Sequence, residues 1–474
     1  MEHMQELNRK TVPTTGLPIK ILQFGEGNFL RAFADWMIDK MNADGYNSGV
    51  AVVQPIAHGM TDLLQKQDNL YHHIYRGLVN GKATSETRLI SCIQKSINPF
   101  KNKKTYDALV LLPGLELVIS NTTEAGIVFN QEDKPADGAL ASTFPGKVTQ
   151  LLWSRFNHFK GATDKGLKFI PVELIEKNGE KLKEAILHYA KLWNLTDEFT
   201  SWVTTNNYFA NTLVDRIVPG FPKEEAEAIR TSIGFNDNLI VSSEVFHLWV
   251  IEGGNEIQMA FPADRYGLNV IYTNNLTPYR TRKVRILNGA HTSMVPVGLL
   301  NGIETVRESV EDKSLGRFVR HIIFNEISPT ISLPKHELEA YAEKVLERFK
   351  NPFIRHELTS IALNSISKYK VRVLPSLLDY YKLTNTLPKG LVLAFTHLVK
   401  LYLSDFAIND SQKVKAFFAK LNSTDTARTI LIKVLENEAF WGSDLNKIPG
   451  LTDLMTAQLE LLNKGTTIAQ FTYE

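Results

Sequence analysis

The stretch KILQFGEGNFLR, residues 20–31, decides how the first half of this chain folds. KILQF has the apolar, β-branched character of a strand. From Asn28 onward the pattern becomes helical, with Phe29, Phe33, Trp36, Met37 and Met41 on one stripe of a helix expected over residues 28–41. Gly25 and Gly27 lie between the two. A pair of glycines allows a tight turn and a close approach of backbone to a pyrophosphate, whose charge is met at the start of the helix. Leu30 stands where a third glycine would complete the dinucleotide fingerprint, so the match is partial. Its weight comes from position, after a first strand and ahead of an amphipathic helix and a second strand. The expected cofactor contacts in this turn are Phe24, Gly25, Gly27, Asn28 and Phe29.

Working outward, GVAVVQP (49–55) reads as the second strand and LELVIS (115–120) as a later one. A helical stretch around VTQLLWSRF, a strand at KFIPVEL and an amphipathic helix over residues 180–193 follow. Alternating strands and helices argue for a parallel sheet covered by helices. The acidic residue that usually ends the second strand and holds the adenosine ribose is missing, and Gln54 stands about there. With no arginine obviously placed for a 2′-phosphate, the cofactor expected is NAD. Ser120, Asn121, Thr122, Thr123 and Glu124 end a strand where cofactor contacts fall in an open α/β sheet, and Asn121 and Thr122 are the candidates. A plain polar turn is the competing reading there.

Beyond Pro278 the texture changes. HELEAYAEKVLERF, IRHELTSIALNSI, GLVLAFTHLVKLYL and SQKVKAFFAKL have helical periodicity and few strand candidates. The expected fold class is α/β: a Rossmann-like, mostly parallel sheet domain over residues 1–275, then a mostly α-helical domain over 276–474. At the start of the second half stands KVRILNGAHT (283–292). At about 100° per helical residue, Lys283 defines 0°, His291 falls near about 80° and Asn288 near about 140°. An amine, a carboxamide and an imidazole leaning over one helix side suit chemistry on a hydroxyl or carbonyl. The amine exchanges the proton while the other two hold the oxygen. Burial and the like charges of Arg282 and Arg285 would favour the neutral amine. The alternative is a solvated basic face built from Arg280, Arg282, Lys283 and Arg285.

Composition narrows the class of protein. With 474 residues, 43% hydrophobic and 22% charged, the chain reads as a globular protein of two or three domains. Fifty-three basic against 51 acidic residues leave a formal charge of only +2, so no global field recruits nucleic acid or anionic lipid. The single cysteine, Cys92, excludes an internal disulfide, and no cluster of metal-ligand spacing is found, so no metal is expected. No signal peptide or membrane-length apolar segment is evident, which points to the cytoplasm.

Four blocks together resemble the mannitol dehydrogenase family of polyol-specific long-chain dehydrogenases. GEGNFLRAF is similar to the family's GxGxFxRAH, with Phe33 in place of histidine. FANTLVDRIVP (209–219) is similar to F-x-x-T-x-V-D-R-I-x-P. KVRILNGAH carries K-x4-N-x2-H, and FKNPFIRHELTSIALNSISKYKVRVLPSL (349–377) resembles a block of the helical domain. The resemblance implies NAD(P)-dependent, metal-independent interconversion of sugar alcohols or aldonic acids with their ketones. It makes Lys283 the acid/base, with Asn288 and His291 as binders of the reacting oxygen. It places Asp215 beside the cofactor and Arg216 beside the substrate, and Lys368 with Arg372 near the substrate too. One departure stands out: where the family has S-C-D-N-x3-N-G, this chain reads Pro171-Val-Glu173-Leu174-Ile-Glu-Lys-Asn178-Gly179. Leu174 replaces an asparagine that helps bind the oxygen, leaving that role vacant or moved to a neighbour such as Glu173. This form, with QFGEGNFLRAF, SNTTEAGI and PYRTRKVRILNGAHT, resembles the family's hexuronate-reducing members more than its hexitol dehydrogenases. The expected partner is a small hexuronate or aldonate, with the protein a monomer or small homo-oligomer. A nucleotide-binding sensor without catalysis is the reading from a different class.

Overall fold

Strands buried on both faces need no polar alternation, and the apolar runs of the first half behave that way. In the computed structural model, which describes residues 4–122, 125–136, 138–421 and 425–473, they form a six-stranded parallel sheet. In chain order its strands are Ile19–Phe24, Gly49–Val53, Ile93–Ile97, Leu117–Ser120, Lys168–Pro171 and Tyr208–Phe209. Across the sheet they lie in the order third, second, first, fourth, fifth, sixth, the arrangement of dinucleotide-binding sheets. Ile21, Val50, Val52, Ile119 and Ile170 feed the core on one face, where Phe33, Trp36 and Met37 pack. Leu22, Ala51, Val53, Val118 and Phe169 feed the other, against Tyr106, Val148 and Leu151.

The helix expected over residues 28–41 is two helices, Asn28–Ala32 and Ala34–Ala43, broken at Phe33 (φ −126°, ψ −77°). Side chains from elsewhere take the carbonyls at the break. Tyr71 Oη donates to Arg31 O (2.9 Å), and Arg216 Nη1 donates to Ala32 O (2.8 Å). Phe33 is left fully buried, stacked on Phe29 (5.0 Å) and tilted against Trp249 (5.2 Å).

Two further three-stranded sheets are formed, one by Asn211–Asp215, Leu248–Glu252 and Val270–Thr273, the other by Val241–Glu244, Tyr71–Val79 and Lys82–Ile90. The chain forms two compact units, one made of residues up to Arg76 with Thr84–Leu276, the other of Gly77–Ala83 with residues from Thr277 onward. The described residues from 277 onward contain helices and no strand element. At the centre of that unit lies the helix Gly289–Leu300, buried on all sides from Gly289 to Gly298. IRHELTSIALNSI, read as one helical segment, divides into Leu358–Ile361 and the start of Ser365–Arg372, because Asn364 adopts the left-handed conformation (φ 53°). No helix among the described residues is long and apolar enough to cross a membrane.

Candidate active site

In the first unit, strands Ile19–Phe24 and Leu117–Ser120 lie side by side with Phe24 opposite Ser120. Connections run to opposite sides of the sheet from here, so a crevice opens beyond the strand ends. Gly25 sits in it at φ +119°, a conformation that L side chains avoid, and a Cβ there would stand 2.8 Å from Asn121 O. Gly27 has a different reason to be glycine. It caps the helix Asn28–Ala32 with no protein atom within 4 Å of where its Cβ would be. That open cradle in front of bare backbone fits the close approach of a pyrophosphate. Asn28 is exposed and Phe29 half-buried at its edge.

Much of the polar apparatus around the cradle faces inward. Arg31, 1% exposed, donates from Nε to Glu26 O (3.1 Å), from Nη1 to Leu239 O (2.5 Å) and from Nη2 to Asn28 Oδ1 (2.7 Å). Asn121 N donates to Phe24 O (3.0 Å), which ties the two strand ends together. Thr123 and Glu124 lie outside the described residues. Gln54, named as a ribose contact, spends its amide within its own turn. Nε2 donates to Ile56 O (2.8 Å) and Ala57 O (3.0 Å), and Oε1 accepts from Thr61 Oγ1 (2.7 Å). Arg216 is buried too, with its guanidinium 4.2 Å from the centre of the Trp36 ring and Nε donating to Glu244 O (3.0 Å). Burial pushes its pKa down to about 9. The structure thus shows Arg216 holding the break at Phe33, and Asp215 buried beside it at the end of its strand.

Glu173 does not fill the place of the missing asparagine. Its carboxylate accepts from Ser120 Oγ (3.0 Å), Thr122 N (3.1 Å) and Thr122 Oγ1 (3.0 Å), and burial pushes its pKa up. It braces the turn after the fourth strand while Leu174, 61% exposed, points outward.

In the second unit, Lys283–Asn288 is a turn of π-helix between the α-helices Thr277–Arg282 and Gly289–Leu300. The angles expected for a regular α-helix therefore do not apply. A π turn bonds residue i to i+5, so Asn288 leans to nearly the same side as Lys283, as residues i and i+4 do in an α-helix, rather than about 140° away. His291, three α-helical residues further, falls about 60° from Asn288. The wider turn draws the three side chains together more closely than α periodicity does, and single π turns of this kind are frequent at functional sites.

The solvated basic face does not materialise. Arg282, 6% exposed, lies 4.3 Å from the centre of the Tyr341 ring. Arg285 pairs with Asp379 (2.7 Å) and donates to Thr330 O (3.1 Å), so its charge beside Lys283 is offset. His291 is 7% exposed, its ring 4.3 Å from Phe349 and 5.0 Å from His356. His356, which spacing did not single out, has its pKa lowered by burial and so favours the neutral imidazole. The Asn288 amide makes no hydrogen bond with any described residue. Gly289 permits the close packing of the next element: a Cβ there would stand 3.0 Å from Arg372 O. Lys368 and Arg372 are one turn apart on Ser365–Arg372. Lys368 Nζ donates to Ile361 O (2.8 Å), and burial and then the Arg372 charge lower its pKa. Burial also lowers that of Arg372, whose guanidinium has no ion-pair partner among the described residues.

Comparison with known proteins agrees with both halves. The mannitol dehydrogenase Rossmann domain matches residues 19–261, and the mannitol dehydrogenase C-terminal domain matches 275–463. Altronate oxidoreductase of Bacteroides thetaiotaomicron is 45% identical over 469 residues, covering 97% of this chain and 98% of that protein. Altronate oxidoreductase of Bacillus subtilis is 45% identical over 465 residues, covering 97% and 96%. Among solved structures, D-sorbitol dehydrogenase in substrate-free form superposes with a TM-score of 0.80 at 21% identity, covering 98% of this chain and 99% of that one. Pseudomonas fluorescens mannitol 2-dehydrogenase, in a ternary complex with NAD and D-mannitol, gives 0.69 at 20% identity, covering 97% of each. The last two are likenesses of fold. A Rossmann sheet followed by a helical domain, each matched by its own family model, makes this chain a member of the mannitol dehydrogenase family.

Proposed function

We propose that the protein is an NAD-dependent altronate oxidoreductase, that is, a tagaturonate reductase, interconverting tagaturonate and altronate without a metal. The observation that carries this reading is identity of 45% with altronate oxidoreductases over nearly the full length of both chains. Lys283, Asn288 and His291, leaning to one side of their helix, supply the chemistry it needs. Bound NADH supplies a hydride to the ketone carbon. Lys283, as the ammonium, donates a proton to the oxygen that gains charge, and in the oxidising direction its neutral amine accepts the hydroxyl proton. Asn288 donates a hydrogen bond to that oxygen, and His291, held between Phe349 and His356, keeps it in line.

A hexuronate brings a carboxylate, and a buried carboxylate needs a cationic partner. Arg372 with Lys368 provides two cations one turn apart, half-buried beside the catalytic helix. Phe24, Gly25, Gly27, Asn28, Phe29, Asn121 and Thr122 form the dinucleotide cradle, with Gln54, Asp215 and Arg216 supporting it from behind. In this reading residues 1–275 bind NAD and 276–474 carry the substrate chemistry. The enzyme works in the cytoplasm, as a monomer or small homo-oligomer.

The test is NADH oxidation, with product identification, against tagaturonate, fructuronate and D-fructose. Altronate formed from tagaturonate, with the other ketones slower, is the expected result. Preference for fructuronate would make it a mannonate oxidoreductase, and preference for fructose a hexitol dehydrogenase. NADH binding with no turnover on any of them would mark a sensor.

A further inference from the structure

Gln54 leaves the end of the second strand without an acid, yet a carboxylate reaches that turn from the neighbouring strand. Glu26, between Gly25 and Gly27, is 7% exposed, and its Oε1 accepts from Met60 N (3.1 Å) in the turn that follows Gln54. Glu26 and Gln54 meet at Gly59. A Cβ on Gly59 would overlap Glu26 Oε1 and stand 2.6 Å from Gln54 Cδ. Gly59 is the residue that lets both side chains into one corner. Residues 56–59 are exposed, so the corner opens to solvent. Oε2 of Glu26 receives no hydrogen bond from another described residue.

The location fits an adenosine ribose. In this fold the pyrophosphate crosses the glycine turn and the ribose lies at the end of the second strand. Glu26 starts at the first place and points to the second. Two arginines that could offset a 2′-phosphate are already engaged. Arg31 is bound to two carbonyls and Asn28, and Arg76 is paired with Glu225.

We infer that Glu26 is the ribose-binding carboxylate of this protein, replacing the acid absent at Gln54, and that its charge excludes NADPH. Oε2 would accept from the ribose 2′-hydroxyl, and a 2′-phosphate there would place like charges together in a half-enclosed corner. This inference rests on NAD being the cofactor, so the test separates the two.

Dissociation constants of NADH and NADPH are measured by fluorescence titration for the parent protein, Glu26→Gln and Glu26→Asp, with melting temperatures alongside. The parent should bind NADH more tightly; a preference for NADPH would refute the NAD reading itself. Glu26→Gln keeps an acceptor for Met60 N and removes the charge, so the NADPH-to-NADH ratio of constants should fall by about tenfold or more. Glu26→Asp keeps the charge and should retain most of the discrimination. An unchanged ratio in Glu26→Gln, or equal loss in both variants, overturns the inference and makes Glu26 a packing residue. Should Glu26→Gln fail to fold, competition on the parent protein decides: adenosine 2′,5′-bisphosphate must displace NADH more weakly than 5′-AMP, and equal displacement overturns the inference.

Discussion

The glycine turn of the first unit and the 283–291 face of the second use their side chains in opposite ways. Around Gly25 and Gly27 the polar side chains are engaged within the protein: Arg31 on carbonyls, Gln54 on its own turn, Arg216 at the helix break, Glu173 on the turn after Ser120. Apart from Oε2 of Glu26, what remains for a ligand is backbone and open space. On the second unit Asn288 and Arg372 keep their polar groups unspent. A dinucleotide is gripped by shape, while proton transfer and carboxylate recognition require groups that the fold leaves unsatisfied. Substitutions in the two regions should therefore fail differently.

The largest effect belongs to Lys283. Lys283→Ala should melt like the parent and lose about 10²–10⁴-fold in kcat; turnover within a few-fold of the parent would move the acid/base role elsewhere. Gly27→Val probes the other region. Beyond its chain neighbours and its own helix, no protein atom lies within 4 Å of the added Cβ, so the fold should persist while NADH affinity drops by about 100-fold or more, the scale of several lost contacts to the pyrophosphate. A melting temperature that falls with the affinity would mean that Gly27 serves the fold. Arg372→Ala should raise KM for tagaturonate by about 10- to 150-fold, the loss of one charge-assisted hydrogen bond, and leave that for fructose nearly unchanged. Lys368→Ala should act in the same direction more weakly, since its amine is partly held by Ile361 O. Equal losses on charged and neutral ketones would make both residues structural.

A further effect is one of stability alone and lies behind the cradle. Asp35 is completely buried, accepts from Tyr71 Oη (3.2 Å) and Gln23 Nε2 (3.3 Å), and burial pushes its pKa from 3.8 up to about 7. The folded protein therefore holds a proton that the unfolded chain releases between about pH 4 and 7. That contribution to stability is complete below the unfolded value and is lost as pH rises through about 7. Asp35→Asn should remove this slope, on the order of 4 kcal/mol at its limit, and a melting profile across pH identical to the parent's would contradict it.

The same contrast explains what could be read from residues alone. The parallel sheet was readable because KILQF, GVAVV and LVIS are mostly apolar without polar alternation, the mark of strands covered on both faces. The spacing of Lys283, Asn288 and His291 was readable, but not the π turn that carries it, which leaves no periodic mark in ILN. The break at Phe33 was hidden because its causes, Tyr71 and Arg216, lie about 40 and 180 residues away in the chain. Gln54 was assigned by its position at a strand end. Whether its amide faces a ligand or its own turn depends on Ile56, Ala57 and Thr61, and no spacing rule carries that information.

The division of labour has one direct test: stopped-flow mixing of Lys283→Ala, saturated with NADH, against tagaturonate, after its NADH dissociation constant has been measured. The account predicts an NADH constant within about twofold of the parent's and single-turnover reduction slowed by at least about 100-fold. Slow reduction accompanied by a tenfold weaker NADH complex would contradict it, because Lys283 would then serve the dinucleotide rather than the proton.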